Sequence, residues 1–201
     1  MSKPKSNSAL FMYIVIGLML AVSGVCFTLY YGAFTDSRVI LWVGIASFTI
    51  LYHFWLRIIM GSVTRRFPIR YTAWWFKERR FEKYIFKLLR VRKWKGKVLT
   101  YDPDAFSMEK HTYEEIAYAM AKAETDHWIN ELISLSTMLF PLLWGAWWLF
   151  ISTGIVGMLF DMQFILVQRF HRPIILRVIE KDEKRKTRRA LAKKSEDLHY
   201  D

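Results

Sequence analysis

The sequence contains a single cysteine, Cys26, so no intramolecular disulfide can form within the chain. It contains no internal repeat or linker of note and no recognisable nucleic-acid-binding module, so no nucleic-acid partner is expected. No small-residue cleavage site follows the first apolar run, which disfavours a removable signal peptide. No serine or cysteine has a convincing catalytic partner, and we expect no covalent enzyme intermediate, no metal site and no bound cofactor.

Apolar side chains are abundant: they make up 53% of the 201 residues, with aromatic residues at 17%, which is too apolar for an ordinary soluble domain. They come in blocks, and a block of about 20 residues can cross a bilayer as a helix. The block 132–168 has room for two shorter spans joined by a tight turn near Ser152-Thr153-Gly154. We therefore predict an all-α, polytopic membrane protein with about four transmembrane helices, at residues 9–34, 39–63, 132–150 and 153–169.

Three ionisable side chains interrupt these apolar blocks. His53 and Arg57 lie four residues apart in the second predicted span, and Asp161 lies in the fourth. Ionisable groups are costly inside a bilayer and usually face a bundle interior or a cavity. Arg57 can alternatively extend toward the cytoplasmic interface. We predict that Asp161 makes a polar contact inside the bundle, with His53 or Arg57 as the candidate partner.

Lysine and arginine are concentrated on one side of the predicted topology. Residues 65–97 contain 13 Lys or Arg and two acidic residues, whereas the short predicted turns between spans carry almost no charge. Excess Lys and Arg marks the cytoplasmic side and attracts anionic phospholipids. We therefore expect a single integral-membrane domain, 1–201, in the cell membrane with both termini cytoplasmic. The region between the second and third spans, 64–131, is expected to be a cytoplasmic amphipathic helical region, and 177–201 a charged tail.

The cytoplasmic region contains signals for two helices. Between Tyr71 and Lys95, aromatic and basic residues alternate, which predicts an interfacial helix that lies on the membrane and ends near Gly96. Thr112 and Glu115 match a capping box, in which hydroxyl and carboxylate each accept a hydrogen bond from a free backbone N–H. The helix that starts there is predicted to run into the third span with a stripe of Ile116, Met120, Glu124, His127 and Glu131.

Glu124 and His127 are the candidate catalytic residues. They lie three residues apart and therefore share a helix face. A neutral imidazole at a membrane surface can take a proton from a hydroxyl, and the carboxylate can fix its tautomer. The alternative is an ordinary ion pair on a hydrated helix.

Two basic motifs are candidate binding sites. Residues 91–97 place four cations around a tryptophan, which suits phosphate, although a membrane anchor is the alternative. Residues 168–173 place a Gln and a His beside the basic residues that end the fourth span. The predicted topology brings one end of spans two, three and four to the same face. One interfacial pocket is therefore expected there, with the basic residues of 92–97 at its mouth. The residues expected to surround the pocket are His53, Arg57, His127, Gln168 and Arg169.

Three motifs resemble those of a known family. They are Val91-Arg92-Lys93-Trp94-Lys95-x-Lys97, Ala123-Glu124-x-x-His127-Trp128 and Ile165-x-Val167-Gln168-Arg169-Phe170-x-Arg172-Pro173. In order and spacing they resemble the glycosyl-4,4'-diaponeurosporenoate acyltransferase family, which attaches the fatty acyl group in the last step of staphyloxanthin synthesis. The chain departs from the family at Asp161 and His171, where members often have Asn, and at Ile174, where they often have Arg. The resemblance implies acyl transfer to a sugar hydroxyl on a bacterial membrane lipid, with a glycosylated carotenoid as one candidate acceptor.

For such a transfer, we expect the following mechanism from these residues. His127, held by Glu124, would deprotonate the acceptor hydroxyl, which attacks an activated acyl group. Acyl-CoA or acyl carrier protein would be the donor, and Arg169 or Arg172 would stabilise the developing oxyanion. The cations between Arg92 and Lys97 would hold the donor's phosphates. The expected substrate-binding residues are Arg92, Lys93, Trp94, Lys95, Lys97, Trp128, Gln168, Arg169, Arg172, His53, Arg57 and Asp161.

Two alternatives of a different class stay open from the sequence. A noncatalytic membrane partner or immunity protein would use the same polar residues only to bind lipid or another subunit, and would tolerate a change at His127. A different membrane lipid transferase, such as a methyltransferase, would depend on a different cosubstrate. The sequence predicts no particular oligomeric state.

Overall fold

The computed structural model describes residues 7–98 and 103–197, and every regular element in these two ranges is a helix. This confirms the predicted all-α class. Short 3-10 turns connect several of the helices. The α-helices in the described ranges are α1 Asn7–Tyr31, α2 Arg38–Thr64, α3 Arg80–Leu88, α4 Val91–Trp94, α5 Tyr113–Ser136, α6 Pro141–Trp144 and α7 Trp147–Asp197.

Among the described residues, three helices are long and apolar enough to cross a membrane: α1, α2 and α7. The candidate stretch of α7, Trp147–Leu191, has 45 residues. At 1.5 Å per residue it extends about 68 Å, whereas the hydrocarbon core of a bilayer is about 30 Å thick. Only the apolar first part of α7 therefore fits the core, and this part contains the predicted span 153–169. The charged remainder continues as helix beyond it.

The third predicted span, 132–150, is not a continuous helix. α5 ends at Ser136, a 3-10 turn covers Thr137–Leu139, and α6 begins at Pro141. The hydroxyls of Ser136 and Thr137 donate to backbone carbonyls three residues earlier, at 2.6 and 2.7 Å. Such bonds compete with the helical pattern, and proline has no N–H to continue it. The prediction of a continuous helix was wrong because it weighed apolar composition above these three side chains.

The tight turn predicted near Ser152-Thr153-Gly154 is also wrong. The chain instead turns at Gly145 and Ala146, whose φ angles of +70° and +49° lie in the region that favours glycine. Both hydroxyls of the predicted turn donate to the carbonyl of Leu149 inside α7, so they leave the helix intact. Gly154 allows close packing of α7 on α5, since a Cβ there would lie 3.0 Å from the Ser134 carbonyl oxygen.

The described residues form two compact units. The first unit contains residues 7–67 and 128–161, and the second contains 68–98, 103–127 and 162–197. The single domain over 1–201 stays a prediction.

Aromatic side chains pack at one end of the first unit. Trp144 stacks on Phe27 of α1 with ring centroids 6.1 Å apart, and its indole N–H donates to the Tyr31 hydroxyl at 3.1 Å. Phe140 contacts Tyr52 of α2 with ring centroids 5.0 Å apart. The connection between α1 and α2 and the turn at 145–146 therefore lie at the same end of this unit.

The interfacial helix predicted between Tyr71 and Lys95 is broken into shorter elements in the second unit. The structure has a 3-10 turn at Trp74–Phe76, then α3 and α4, and a 3-10 turn at Lys95–Lys97 that contains Gly96. Arg90, between α3 and α4, has a left-handed φ of 49°, which interrupts the helix. α3 keeps the predicted amphipathic character, because its exposed apolar residues are spaced three and four apart: Phe81, Tyr84 and Leu88.

The predicted capping box at the start of α5 is confirmed. The Thr112 N–H donates to Oε2 of Glu115 at 2.8 Å, and the Glu115 N–H donates to Oγ1 of Thr112 at 3.3 Å. This hydrogen bond from the Thr112 backbone is the main reason that the pKa of Glu115 is lowered below its ordinary value. α5 then packs on the second half of α7 through a buried core of Ile116, Ala117, Met120, Ile175 and Ile179.

Candidate functional site

Arg169 of α7 lies at the centre of a buried ion-pair network in the second unit. Its Nε–H donates to Oε1 of Glu124 at 2.8 Å, and its two terminal nitrogens donate to Glu82 and, at 3.1 Å, to the Trp75 carbonyl. Glu82 and Glu124 are 4% and 0% exposed. A carboxylate buried to this extent needs both a compensating charge and hydrogen bonds, and Arg169 supplies them to both.

Arg172, one turn later on α7, completes the network. One terminal nitrogen donates to Oε2 of Glu124, while Nε and the other terminal nitrogen donate to the Phe76 carbonyl at 3.3 and 3.0 Å. The guanidinium also lies 4.8 Å from the centre of the Phe76 ring. Two arginines thus balance two carboxylates, and we call these four residues, Glu82, Glu124, Arg169 and Arg172, the arginine network.

The arginine network bears on the roles predicted for three site residues. Glu124 presents one carboxylate oxygen to Arg169 and the other to Arg172. Each guanidinium in turn donates from Nε and both terminal nitrogens to acceptors of the protein. This geometry favours a positioning role for all three over direct contact with substrate. No role for Glu82 was predicted from the sequence. The available signal was that Glu82 is one of two acidic residues in the basic stretch 65–97.

His127 of α5 is partly exposed and lies against α7 within the second unit. Its ring stacks on Phe164, with centroids 4.5 Å apart and planes 3° from parallel. Stacking occupies the face of the imidazole and fixes its plane, while the two nitrogens lie in the ring edge where hydrogen bonds are made. A positioned general base needs this kind of constraint. Gln168, one turn after Phe164, is also partly exposed.

The structure brings the basic motif 91–97 together with the motif 168–173. The Lys95 ammonium lies 2.6 Å from Nε2 of His171 and 4.6 Å from the centre of the Phe170 ring. The Trp94 indole N–H donates to the Leu89 carbonyl at 2.9 Å. Lys95 and Trp94 therefore anchor the segment. Lys93 and Lys97 are exposed to solvent, and Trp128, in the first unit, is partly exposed.

Arg92 lines a cleft of about 340 Å³ in the second unit, which we call the cationic cleft. Four of the residues that line it are basic, one is acidic, and the rest are mainly apolar, so the cleft suits an anion that carries an apolar chain. Lys83, Lys87 and Arg177 were not predicted to bind the donor. The i,i+4 spacing of the two lysines on α3 was the available signal. The lining residues are Glu78, Lys83, Phe86, Lys87, Arg92, Phe170, Pro173, Ile174 and Arg177.

In the first unit, Asp161 is buried and makes the polar contact that was predicted. Its Oδ2 accepts a hydrogen bond from Arg57 at 2.5 Å, and its Oδ1 accepts one from the Asn130 amide at 3.2 Å. The Arg57 guanidinium also lies 3.4 Å from the Ser134 hydroxyl. Arg57 is therefore the partner of Asp161, and His53, one turn earlier on α2, is buried beside both charges.

Among the residues that the structure describes, no group of three His, Cys, Asp or Glu side chains is arranged to hold a metal ion.

Comparison with known proteins identifies the family of the chain. Residues 72–181 match the family model CrtO, described as glycosyl-4,4'-diaponeurosporenoate acyltransferase. A search of curated proteins and a search of solved structures each found no significant match. The matched segment covers more than half of the 201 residues and includes the arginine network, His127 and the whole cationic cleft. The chain therefore belongs to the glycosyl-4,4'-diaponeurosporenoate acyltransferase family.

Proposed function

We propose that this protein is a membrane O-acyltransferase that moves a fatty acyl group from an acyl thioester to a hydroxyl of a membrane glycolipid. The family's name describes a glycosylated carotenoid as acceptor, and acyl-CoA or acyl carrier protein is the donor class. The observation that carries the proposal is the cationic cleft around Arg92, which lies within the segment that matches the family. Both donors present phosphate next to an apolar chain, and the cleft combines basic and apolar walls.

His127 is the base in this proposal. Its neutral imidazole takes the proton of the acceptor hydroxyl while the hydroxyl oxygen attacks the thioester carbonyl carbon, which gives a tetrahedral intermediate. Collapse of the intermediate breaks the carbon–sulfur bond, and the departing thiolate takes the proton from the imidazolium. The products are an ester and a thiol, and the base is regenerated without a covalent enzyme intermediate.

Glu124, Arg169 and Arg172 act as positioning residues. The arginine network joins α5 to α7 next to the stack of His127 on Phe164, and so supports the orientation of the imidazole. A direct role for Arg169 or Arg172 at the oxyanion would require breaking contacts to buried carboxylates, which costs several kcal/mol. The proposal therefore differs from the sequence-based expectation in the role of the two arginines.

The exposed residues of α3 support a membrane-surface location for the second unit. Phe81, Tyr84 and Leu88 form an apolar stripe, while Lys83 and Lys87 on the same helix suit anionic phospholipid headgroups. The predicted topology puts both termini and this region on the cytoplasmic side of the cell membrane, which requires the broken segment 128–144 to cross the bilayer in addition to α1, α2 and α7. A cytoplasmic donor would then reach the cationic cleft directly. Acyl transfer would then take place at the cytoplasmic face of the bilayer.

Steady-state kinetics of the purified full chain in lipid nanodiscs test the proposal, with acyl-CoA and acyl carrier protein as alternative donors. We expect His127→Gln to lower kcat by a factor of about 10²–10⁴, the usual contribution of a general base. We expect Lys87→Ala with Arg92→Ala to raise the donor KM about tenfold, which corresponds to about 1.4 kcal/mol, with a smaller effect on kcat. Added salt should raise the donor KM of the unmodified protein for the same reason.

Lys77→Ala is the matched control, because Lys77 is an exposed cation of the same unit outside the cleft lining. Its donor KM should stay within about twofold of that of the unmodified protein, as for most surface changes. Near-normal turnover in His127→Gln would remove the proposed base. An unchanged donor KM in the double variant would mean that the basic residues of the cleft do not bind the donor and serve only as membrane anchors.

A further inference from the structure

The first unit contains a buried polar cluster whose hydrogen-bonding capacity is not used up by the protein. Four buried side-chain atoms have no hydrogen-bond partner among the residues that the structure describes, and they belong to three neighbouring side chains. They are Nδ1 and Nε2 of His53, Nε of Arg57 and Oε1 of Glu131. Buried polar atoms are nearly always paired, so the concentration of all four in one place needs an explanation.

The three side chains that carry these atoms lie around the ion pair of Arg57 and Asp161 within the first unit. Arg57 is paired with Asp161, and both His53 and Glu131 interact electrostatically with these two charges. Gly157 of α7 faces the same place, since a Cβ there would lie 2.7 Å from Oγ of Ser134 and 3.6 Å from Cε1 of His53. The absence of a side chain at Gly157 therefore allows the α7 backbone to approach the cluster closely. His53 and Glu131 are each 8% exposed.

The unused groups define the chemistry of the missing partner. Arg57 Nε–H is a donor, Glu131 Oε1 is an acceptor, and a neutral imidazole offers one donor and one acceptor. Two donors and two acceptors match a pair of hydroxyl groups, each of which donates and accepts once. The charge of Arg57 is already balanced by Asp161 and Glu131 adds a carboxylate, so the cluster has no excess positive charge for a phosphate or carboxylate ligand.

We propose that His53, Arg57 and Glu131 form a binding site for neighbouring hydroxyl groups of a neutral sugar. The inference rests on the proposed function, because such a sugar is the headgroup of a glycolipid acceptor. Asp161 and Ser134 hold the Arg57 guanidinium in place, Asn130 donates to Asp161, and the α7 backbone at Gly157 closes the α7 side of the cluster. The site lies entirely within the first unit and is separate from the cationic cleft of the second.

Photolabelling of the full chain in nanodiscs tests the site without requiring turnover. The probe is an alkyl glucoside that carries a diazirine beside the sugar, and the labelled peptides are identified by mass spectrometry. We expect saturable labelling within 53–57, 130–134 or 157–161, competed by octyl glucoside and not by octyl phosphate. We expect His53→Phe, which keeps ring size but removes both nitrogens, to lower the labelling at least fivefold.

Two further variants separate loss of binding from loss of folding. Glu131→Gln keeps the side-chain volume and should lower the labelling at least twofold with little change in the thermal unfolding midpoint. Tyr52→Phe is the matched control, since the Tyr52 hydroxyl is bonded to Ser136 at 2.7 Å rather than to the cluster. Its labelling should match that of the unmodified protein.

Labelling outside these segments, equal competition by octyl phosphate, or unchanged labelling in both His53→Phe and Glu131→Gln would overturn the site. Labelling that no glucoside competes for would also overturn it and would mean that the cluster holds only water. If labelling is as expected but no acyl transfer occurs, the site stands and the proposed function fails. If acyl transfer occurs and the acceptor KM is unchanged in His53→Phe, the site fails and the proposed function stands.

Discussion

The two units each bury arginine beside carboxylate, but they differ in how completely the polar atoms are paired. In the second unit, the arginine network uses Nε and both terminal nitrogens of each guanidinium, and backbone carbonyls accept the remaining bonds. In the first unit, Nε of Arg57 and three atoms of His53 and Glu131 are buried without a hydrogen-bond partner among the residues that the structure describes, although Arg57 is paired with Asp161. A fully paired network indicates a structural element, and an incompletely paired one indicates polar groups that a ligand or water can bind.

The largest effect that this comparison predicts is the loss of Glu124. Glu124→Ala leaves Arg169 and Arg172 buried with one carboxylate between them, and removing one partner of a buried ion pair costs about 3–5 kcal/mol. We expect a large fall in the thermal unfolding midpoint and reduced accumulation in the membrane. Fluorescence-monitored unfolding of the purified protein in detergent measures the first effect, and immunoblotting of membranes measures the second.

Glu180→Ala is the control for Glu124→Ala, because the ion pair of Glu180 with Lys184 is exposed on both sides. Exposed pairs contribute little to stability, so its unfolding midpoint should be almost unchanged. Equal midpoints for Glu124→Ala and Glu180→Ala would contradict a structural role for the arginine network.

An effect of intermediate size on stability is predicted for the incompletely paired cluster, and a double-mutant cycle measures it. Asp161→Asn alone should be tolerated for folding, because Glu131 can supply a negative charge to Arg57 in its place. With Glu131→Gln added, Arg57 loses both carboxylates, and we expect the double variant to cost about 1–2 kcal/mol more than the sum of the single variants. Denaturation of the four proteins in the same detergent gives the coupling. Additive effects would contradict the shared compensation of Arg57.

The smallest predicted effect is at the start of α5. The capping residues Thr112 and Glu115 are exposed there, unlike the residues of the two buried clusters. Thr112→Ala removes the N-cap hydroxyl and should destabilise the protein by about 1 kcal/mol. Because the folded-state pKa of Glu115 lies below its ordinary value, its contribution is present at neutral pH and is lost as the pH falls through the folded-state pKa. The difference between Glu115→Gln and the unmodified protein should therefore shrink on acidification. A constant difference would contradict the capping role of the Glu115 carboxylate.

Features that depend on neighbours in the chain, or on a strong physical penalty, were accessible from the sequence. The capping box involves residues three apart, and a carboxylate such as Asp161 has few alternatives to a polar partner within an apolar helix. That penalty, together with the predicted topology, indicated His53 or Arg57 as the partner of Asp161, and the structure shows that it is Arg57. The all-α class followed from the apolar blocks.

Features that depend on distant contacts were not accessible. Glu82 and Arg169 are 87 residues apart, and nothing in the spacing of either motif points to the other. Side-chain patterns in the sequence do not indicate which backbone carbonyls accept hydrogen bonds. In the structure, the Trp75 carbonyl accepts one from Arg169 and the Phe76 carbonyl accepts two from Arg172. The turn at 145–146 was missed for another reason, since the apolar block was divided by length rather than by its Gly145.

The long separations within the arginine network constrain the order of events during synthesis. Glu82 and the Trp75 and Phe76 carbonyls leave the ribosome 87 to 96 residues before the arginines that pair with them. At about 5–20 residues per second, this delay lasts about 4–19 seconds. During that interval Glu82 lacks Arg169, the partner that compensates its charge in the buried position, so burial of the carboxylate would be costly. Phe76 and Glu82, the buried residues of 74–82, can therefore reach their final positions only after about the first half of α7 has been made, so truncated chains that end before Arg169 should leave the backbone of 74–82 more open to protease.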